Sequence, residues 1–250
     1  MVYSEDEDLE FLGQMESSDL NDLVYCLTHD KDGAERVNEE LTKSEQYKRF
    51  QPDHHQYWKE IAAEIQCFGS NIFAMLFRNG KGILYKEVMT DVCRKLKIDF
   101  DQDDSAIGIE NVLMMKILSE SIGKMSEEEH QQIAGILGIA QSETIKPETL
   151  LAPFQAAFVA GGLQSYKLAL IVANSVSRFI FGHGLELAGD TTVTRRFSIL
   201  AGIGLIQPEI WPIFEIAGPA YRVTIPAIIL VTTLRRKWLS QQQPASQADA

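Results

Sequence analysis

The feature that most constrains the fold is a helical spacing of apolar residues, repeated through the first 140 of the 250 residues. Leu20, Leu23, Val24 and Leu27 stand at i, i+3, i+4 and i+7, which places them on one face of an α-helix. No segment alternates apolar and polar residues in the way that a half-buried β-strand does. The pattern predicts an all-α fold in which each helix buries one face.

The longest apolar stripe predicts a helix that begins near Trp58 and ends at Asn79-Gly80. Shorter stripes follow at the same spacing as far as residue 137. We therefore expect residues 1–140 to form a helical domain with its own hydrophobic core. Its buried side chains should include Trp58, Ile61, Ile65, Phe68 and Ile72.

Charge divides the chain into two parts. Residues 1–150 contain 30 acidic and 15 basic residues, a net charge of −15, whereas residues 151–250 contain 5 acidic and 8 basic residues, a net charge of +3. A shift of this size indicates two domains with different surroundings. We predict a small N-terminal helical segment at 1–45, an acidic helical domain at 46–140, an apolar, Gly- and Ala-rich helical domain at 147–238, and a disordered tail at 239–250.

The second part contains uncharged runs that are too short for ordinary membrane-spanning helices. Residues 149–166 form an uncharged run of 18 residues, and residues 223–234 form one of 12. As helices these runs rise about 27 and 18 Å, less than the roughly 30 Å hydrocarbon core of a bilayer. The longer run is diluted by Pro153, Gln155, Gln164, Ser165 and the pair Gly161-Gly162, so we predict a buried helical hairpin there in preference to membrane insertion. Pro147 can start a helix in its first turn.

The last apolar run ends in Arg235-Arg236-Lys237-Trp238, which we call the basic flank. Basic and aromatic side chains at a helix end favour the headgroup layer of a membrane, and cations there also stabilise the negative end of the helix dipole. Three cations contribute roughly 3 kcal/mol at an anionic surface, which is weak and sensitive to salt. We therefore expect a cytoplasmic protein with at most a peripheral membrane contact through this helix.

The overall charge and the cysteine content exclude several classes of protein. A net charge of −12 argues against direct nucleic-acid binding, because such proteins need a basic surface. Three cysteines without CxxC spacing argue against a disulfide framework and fit a reducing cytoplasm. Residues 1–10 are acidic and lack the basic start and apolar stretch of a signal peptide.

No motif in the chain predicts catalysis, a metal site or a cofactor. His54 and His55 would point about 100° apart on a helix and cannot hold one ion together. His183 lies between Gly182 and Gly184, which let the backbone turn sharply, and neither an acid nor a nucleophile stands at a catalytic spacing from it. A structural turn or an interaction site is the better interpretation, and we predict a protein without enzymatic activity.

A second candidate segment, residues 217–226, precedes the last apolar helix. Tyr221 and Arg222 stand where the chain enters an otherwise uncharged region, and Pro226 either opens or kinks the helix. Arg222 needs a partner there, such as a carbonyl or one of the acids Glu209 and Glu215. We interpret the segment as a helix junction that determines the fold or binds a partner.

Several stretches, in order along the chain, resemble the YaaW family of uncharacterised bacterial proteins. They are residues 27–30 (LTHD), 58–69 (WKEIAAEIQCFG), 80–85 (GKGILY), 91–96 (DVCRKL), 182–185 (GHGL) and 220–227 (AYRVTIPA). Together they extend over most of the chain. The family is also loosely similar to ubiquinol–cytochrome c chaperones.

The resemblance implies no catalytic residues, because no activity is established for the family in general. Family members that resemble this chain include the sensor of a two-gene defence system against jumbo phages. The resemblance thus implies an infection sensor that recognises a phage-derived component and recruits an effector protein encoded nearby, with recruitment to the inner membrane on infection. The looser similarity implies an alternative function, assembly chaperone for a membrane respiratory complex.

Overall fold

The computed structural model describes residues 2–30, 32–36, 39–68, 82–123, 127–139, 145–187 and 221–242. Within these ranges the chain forms helices joined by loops, and one isolated β-bridge pairs His29 with Glu35. The all-α fold predicted from the apolar spacing is confirmed. The helices are α1 (Ser17–Thr28), α2 (Glu45–Phe50), α3 (Trp58–Phe68), α4 (Tyr85–Lys95), α5 (Ala106–Ile122), α6 (Glu127–Ile136), α7 (Pro147–Ala160), α8 (Gly162–Phe181) and α9 (Tyr221–Gln242), with short 3-10 helices at Glu10–Gln14 and His54–Tyr57.

The N-terminal helix α1 runs antiparallel to the C-terminal helix α9. The apolar stripe predicted for α1 is buried. Cys26, near the end of α1, contacts the carbonyl of Val223 near the start of α9, while Asp19 near the start of α1 forms an ion pair with Lys237 near the end of α9. Helices α1 and α9 therefore pack side by side.

The residues that precede α1 are held against α3 and α4 by buried polar groups. Gln66 on α3 donates to the carbonyl of Ser4 at 2.9 Å and to Asp6 Oδ2 at 3.1 Å, and its Oε1 accepts the N–H of Ser4 at 3.0 Å. Asp6 Oδ2 also accepts the N–H of Tyr85, the first residue of α4, at 2.7 Å. A carboxylate in that place satisfies one of the N–H groups that a helix N-terminus leaves unpaired.

The predicted core of the first part is confirmed at Ile61 and Ile65, which are buried on α3. Trp58 is only partly buried, because it lies at the start of α3, where its indole packs closely over Gly13. A Cβ at Gly13 would lie 2.7 Å from the indole ring, so only glycine fits there. The side chain of Phe68, and Ile72, lie outside the described residues.

The predicted helical hairpin is formed by α7 and α8. Pro147 occupies the first turn of α7, where its missing N–H costs no hydrogen bond. Gly161 and Gly162 make the turn with φ values of +78° and +69°, a region that glycine adopts without strain. Phe154 and Phe158 face the core from α7 with stacked rings 5.7 Å apart.

Helix α9 is the central element of the described structure. It packs along α8 and also contacts α1, α3, α4 and α5. Residues 223–236 of α9 are buried without interruption. The buried apolar side chains, from Leu9 to Leu234, belong to one hydrophobic cluster to which both predicted domains contribute.

The end of α9 differs from the prediction. The helix continues to Gln242, so residues 239–242, assigned to a disordered tail, are helical, and residues 243–250 lie outside the described part. Polar residues continue a helix whose buried face is already fixed, because each added turn needs no new nucleus. Among the described helices, none has the length and apolar character needed to cross a membrane.

Candidate functional site: an arginine centre and an aromatic patch

The basic flank enters the core of the protein through Arg235 and Arg236. Arg235 Nε donates to Glu110 Oε1 of α5 at 3.0 Å, and the Tyr85 hydroxyl of α4 donates to the same oxygen at 3.0 Å. Glu110 and Tyr85 are fully buried, and Arg235 retains only 5% of its exposure. We call the group formed by Tyr85, Glu110, Arg235 and Arg236 the arginine centre.

Arg235 also binds the N-terminal segment. Its Nη2 donates to the carbonyl of Asp8 at 2.6 Å, and its guanidinium lies 4.7 Å from the ring centre of Phe11. Burial acts to lower the pKa of Arg235, but the charge of Glu110 and the neighbouring Tyr85 and Asp8 raise it above its ordinary value. The pKa of Tyr85 is also raised, first by burial and then by the charge of Glu110. Arg235 therefore stays charged in the core.

Arg236 is held by a different set of groups. Its Nη1 donates to the carbonyl of Phe158 at 3.2 Å, its Nη2 donates to Asn111 Oδ1, and its guanidinium lies 4.5 Å from the ring centre of Phe158. Burial lowers the pKa of Arg236 from its ordinary value. The two arginines join α9 to α5, α7 and the N-terminal segment.

Lys237 and Trp238 complete the basic flank at the edge of this interface. Lys237 forms an ion pair with Asp19 of α1. Trp238 Nε1 donates to Gln14 Oε1 at 3.2 Å, and its ring lies 5.8 Å from that of Phe11. The acidic N-terminal segment thus covers the basic end of the helix.

The placement of the basic flank corrects both sequence interpretations of it. Arg235 and Arg236 are buried, so they do not present their charges to a membrane headgroup layer in this fold. The last turn of α9 contains no basic residue, so the flank is also not a cap on the helix dipole. Both interpretations fail for the same reason, because carboxylate, carbonyl and aromatic groups from distant segments surround these cations.

The Gly182-His183-Gly184 segment forms the turn at the end of α8. Gly182 adopts a left-handed conformation, with φ of +74°, and its N–H donates to the carbonyl of Arg178 at 2.9 Å. Ser177 Oγ donates to the carbonyl of His183 at 3.0 Å. A Cβ at Gly184 would lie 2.7 Å from Asn174 Oδ1. Gly182 is needed for its left-handed backbone conformation, and Gly184 is needed because the turn packs closely on α8.

The residues after this turn are tied to α1 by Asp22. Its carboxylate accepts the N–H groups of Glu186 at 2.8 Å and Leu187 at 2.7 Å. Burial raises the pKa of Asp22, and these two hydrogen bonds oppose the rise. Asn21 Nδ2 also donates to Glu186 Oε2 at 3.0 Å. The turn is therefore fixed both to its own helix and to α1.

His183 joins three other rings in what we call the aromatic patch, composed of Tyr25, His29, Phe181 and His183. The His29 ring stacks on Tyr25 with centroids 4.2 Å apart. The rings of His183 and Phe181 pack edge-to-face with Tyr25, with centroids 5.0 and 5.5 Å from that of Tyr25. His183 is exposed, and the other three side chains are half-buried. Sequence analysis singled out His183, and the structure adds its three neighbours.

Residues 217–226 are only partly described. Tyr221 is the first described residue of α9, Arg222 is exposed, and Pro226 is buried in the second turn of the helix. The two acids predicted as partners of Arg222, Glu209 and Glu215, lie outside the described residues. Pro226 therefore lies within the helix rather than at its opening.

Three thiols and one carboxyl group have pKa values far from their ordinary range. Burial raises the pKa of Cys26 to about 12 and those of Cys67 and Cys93 to about 11, which keeps these thiols protonated near neutral pH. Burial also raises the pKa of Glu64 to about 7. In the described residues, no three or more His, Cys, Asp or Glu side chains form a group that could hold a metal ion.

Sequence reasoning missed the groups that contact the candidate residues. Glu110 precedes Arg235 by 125 positions and Asp19 precedes Lys237 by 218, so no local pattern connects them. One signal was present, because Glu110 is the single charge in the otherwise uncharged run of residues 105–115. A lone carboxylate on an apolar helix needs a buried partner.

Comparison with known proteins identifies relatives over nearly the whole chain. A UPF0174 protein of Helicobacter pylori strain J99 is 47% identical over 238 residues, which cover 95% of this chain and 94% of the relative. Another UPF0174 protein, from Helicobacter pylori strain 26695, is 37% identical over 206 residues, which cover 80% of this chain and 98% of the relative. The UPF0174 protein YaaW of Escherichia coli K12 is 30% identical over 242 residues, which cover 94% of this chain and 95% of the relative.

The N-terminal segment also matches a family of its own. Residues 3–37 match a domain of unknown function, DUF3944. This range contains Asp8 and Asp19, which bind side chains of the basic flank. It also contributes Tyr25 and His29 to the aromatic patch. No solved structure matches the chain significantly.

Proposed function

The chain belongs to the UPF0174 family, which includes YaaW of Escherichia coli, and on this premise we propose that it is a non-enzymatic interaction protein of anti-phage defence. In this proposal it resides in the cytoplasm, detects a phage-derived component early in infection, and recruits an effector protein encoded nearby. The proposal follows the resemblance of the chain to a two-gene defence sensor.

The observation that carries the interaction role is the aromatic patch. In this patch the exposed side chain of His183 lies beside three half-buried rings. The turn that carries His183 is fixed both to α8 and to α1. Aromatic side chains in a rigid surface setting are frequent anchors of protein interfaces. The ion pair of Arg235 with Glu110, by contrast, is not exposed to a partner protein, because the two side chains bind each other in the interior.

Recruitment to the inner membrane belongs to this proposal in a modified form. The side chains of the basic flank are bound by Glu110, Asp19, Gln14 and the carbonyl of Asp8. Since these contacts hold the flank inside the fold, we propose that the protein reaches the membrane through a partner that is already there.

The test is a plating experiment in a phage-sensitive bacterial host. The host would carry the gene for this chain, the neighbouring gene, both genes or neither, and the efficiency of plating of jumbo phages would be measured. We expect protection only with both genes. A fluorescent fusion of the chain should move from a diffuse distribution to the cell boundary after infection, and only when its partner is present.

Two results would overturn the proposal. One is equal plating with and without the pair while both proteins accumulate at normal levels. The other is loss of an assembled respiratory complex after deletion of this gene without infection, which would favour the assembly chaperone. Measuring both in the same strains separates the two functions.

A further inference from the structure

We propose that the aromatic patch is a docking site for a basic, arginine-bearing segment of a partner protein. The inference rests on the proposed interaction function and names the chemistry of the partner. It begins from the contacts among the rings of Tyr25, His29, Phe181 and His183. Their rings lie within one surface region contributed by α1 and by the end of α8.

The patch is rigid before any partner arrives. His183 is held by the Ser177 hydroxyl on its carbonyl and by the left-handed Gly182 before it. The two residues after Leu185 are held by Asp22, and Leu185 itself donates to Asn174 Oδ1 at 3.0 Å. A surface that is already ordered loses little conformational entropy on binding, which favours affinity.

The acidic residues around the patch favour a basic partner. The turn after His29 carries the exposed acids Asp30, Asp32 and Glu35, and Glu35 is paired with His29 through the β-bridge. This turn lies against the patch, because a Cβ at Gly33 would be 3.5 Å from the Tyr25 hydroxyl. Exposed carboxylates of this kind attract a basic segment.

Two arginines beside the patch reduce this negative field without reversing it. Arg36 lies in the same turn and is half-buried. Arg178, which belongs to α8, packs against Gly184 of the turn. Exposed Glu186, three residues after His183, adds a further negative charge. The balance of the described groups around the four rings is negative.

Ring stacking decides between arginine and lysine. A planar guanidinium stacks on aromatic and imidazole rings and can pair with a carboxylate at the same time, whereas an ammonium acts as a compact, strongly hydrated charge. Four rings bordered by carboxylates therefore fit arginine better. The protein already uses this contact internally, since Arg235 lies over Phe11 and Arg236 over Phe158.

The experiment is an NMR titration of the full chain labelled with ¹³C in its histidine rings. The chain contains five histidines, of which His29 and His183 belong to the patch and His54, His55 and His130 do not. His55 is exposed, so it reports unspecific binding. The probes are three peptides of equal length with alternating glycine and arginine, glycine and lysine, or glycine and glutamate.

We expect the arginine peptide to shift the His29 and His183 signals in a saturable manner and to leave the other three unchanged. The lysine peptide should bind at least about threefold more weakly, because it lacks the stacking contribution. The glutamate peptide should cause no shift. Equal shifts at His55, or equal affinity for arginine and lysine peptides, would overturn the proposal.

Two variants connect the binding to the rings. His183→Ala removes an exposed side chain, and we expect the arginine peptide to bind about tenfold more weakly to it, as for loss of an interface anchor. Val159→Ala, at an exposed apolar residue on α7, is the matched control and should bind as the wild type does. Unchanged thermal unfolding of both variants confirms that the comparison concerns binding. Wild-type affinity of the His183→Ala variant would contradict the proposal.

The docking proposal and the proposed function fail in different ways. Loss of peptide binding with intact phage protection would exclude the arginine-bearing partner and leave the defence role standing. Specific peptide binding without phage protection would retain the docking site and exclude the defence role. The two measurements therefore report on separate claims.

Discussion

Glu64 is a carboxyl group on α3 with only 3% of its surface exposed. Both of its oxygens accept the N–H of Glu40, at 3.3 and 3.2 Å. Burial is the main cause that raises its pKa to about 7, and the hydrogen bond from the Glu40 N–H opposes the rise. The charges of Glu39 and Glu40 also raise the pKa, and the charge of Arg36 lowers it. Ionisation of Glu64 is therefore unfavourable in the folded state.

The pH dependence of stability follows from the sign of this shift. Between the ordinary pKa of 4.5 and about 7, the folded protein binds a proton at Glu64 that the unfolded chain has lost. Stability from this group is present at low pH and decreases as the pH rises through 7. We expect Glu64→Gln to stabilise the protein at pH 8 by on the order of 2–3 kcal/mol and to change it little at pH 4.5.

Urea unfolding at the two pH values measures this effect. Glu7→Gln changes an exposed carboxylate of the same chain and serves as the control, and we expect it to be as stable as the wild type at each of the two pH values. A Glu64→Gln variant that is less stable than the wild type at pH 8 would show that the carboxylate is required in its charged form.

Glu110 is the second residue whose environment makes a strong prediction. In Glu110→Ala, Arg235 would remain in the core without its carboxylate, and we expect a loss of about 3–5 kcal/mol in the free energy of unfolding. The double variant Glu110→Ala, Arg235→Met should lose less than the sum of the single losses, because no buried charge is left unpaired.

The exposed ion pair of Lys43 with Glu40 provides the control for this prediction. Lys43→Ala should leave the midpoint of urea unfolding unchanged, since solvent screens an exposed pair. If Glu110→Ala unfolds at the wild-type urea concentration, the arginine centre contributes nothing to stability.

At the scale of the element, the end of α8 depends on a single left-handed residue. Gly182 has φ of +74°, and a Cβ there would meet no atom within 4 Å. The cost of Gly182→Ala is therefore conformational, and we expect a loss of about 1 kcal/mol. Gly182→Asn should lose less, because asparagine tolerates the left-handed region better than alanine.

Gly135 supplies a matched control inside a helix. It lies within α6, its added Cβ would also meet no atom within 4 Å, and its backbone is not left-handed. Gly135→Ala should stabilise by about 0.5–1 kcal/mol, because alanine has the higher helix propensity. Thermal unfolding of both variants is the measurement, and shifts of the same sign would contradict the argument.

The helical elements themselves were predictable from local pattern. The stripe of α1 and the Pro147 start of α7 were both visible in the sequence, because apolar spacing, proline and glycine act within one or two turns. The end of α9 was not predictable in this way. Its polar residues resemble a tail, and they are helical because the buried part of α9 continues into them.

At the scale of the whole molecule, the pairing of α1 with α9 joins two helices that are about 200 positions apart in the sequence. Asp19→Lys places two cations together at this interface, and we expect faster hydrogen exchange of the α9 amides around Lys237. The exchanged pair Asp19→Lys, Lys237→Asp should restore slow exchange. Hydrogen-exchange mass spectrometry of the intact chain measures both.

The control for this interface is Glu7→Lys, which makes the same change of charge at an exposed site. It should leave exchange in α9 unchanged. If Asp19→Lys also leaves α9 protected, the ion pair at the edge of the interface does not hold α1 and α9 together, and the apolar stripe of α1 alone does so.

The sequence by itself determined that this protein is helical, that its second part contains a hairpin, and that His183 lies in a turn, because these properties depend on neighbours a few residues away. Only the tertiary structure decided what surrounds the basic flank and the rings of the aromatic patch. A run of two arginines, a lysine and a tryptophan after an apolar helix is the same whether a membrane or a carboxylate meets it. The free energy of a charged group depends on the atoms within a few ångströms, and here Glu110, Asp19 and the carbonyl of Asp8 supply those atoms from remote parts of the chain.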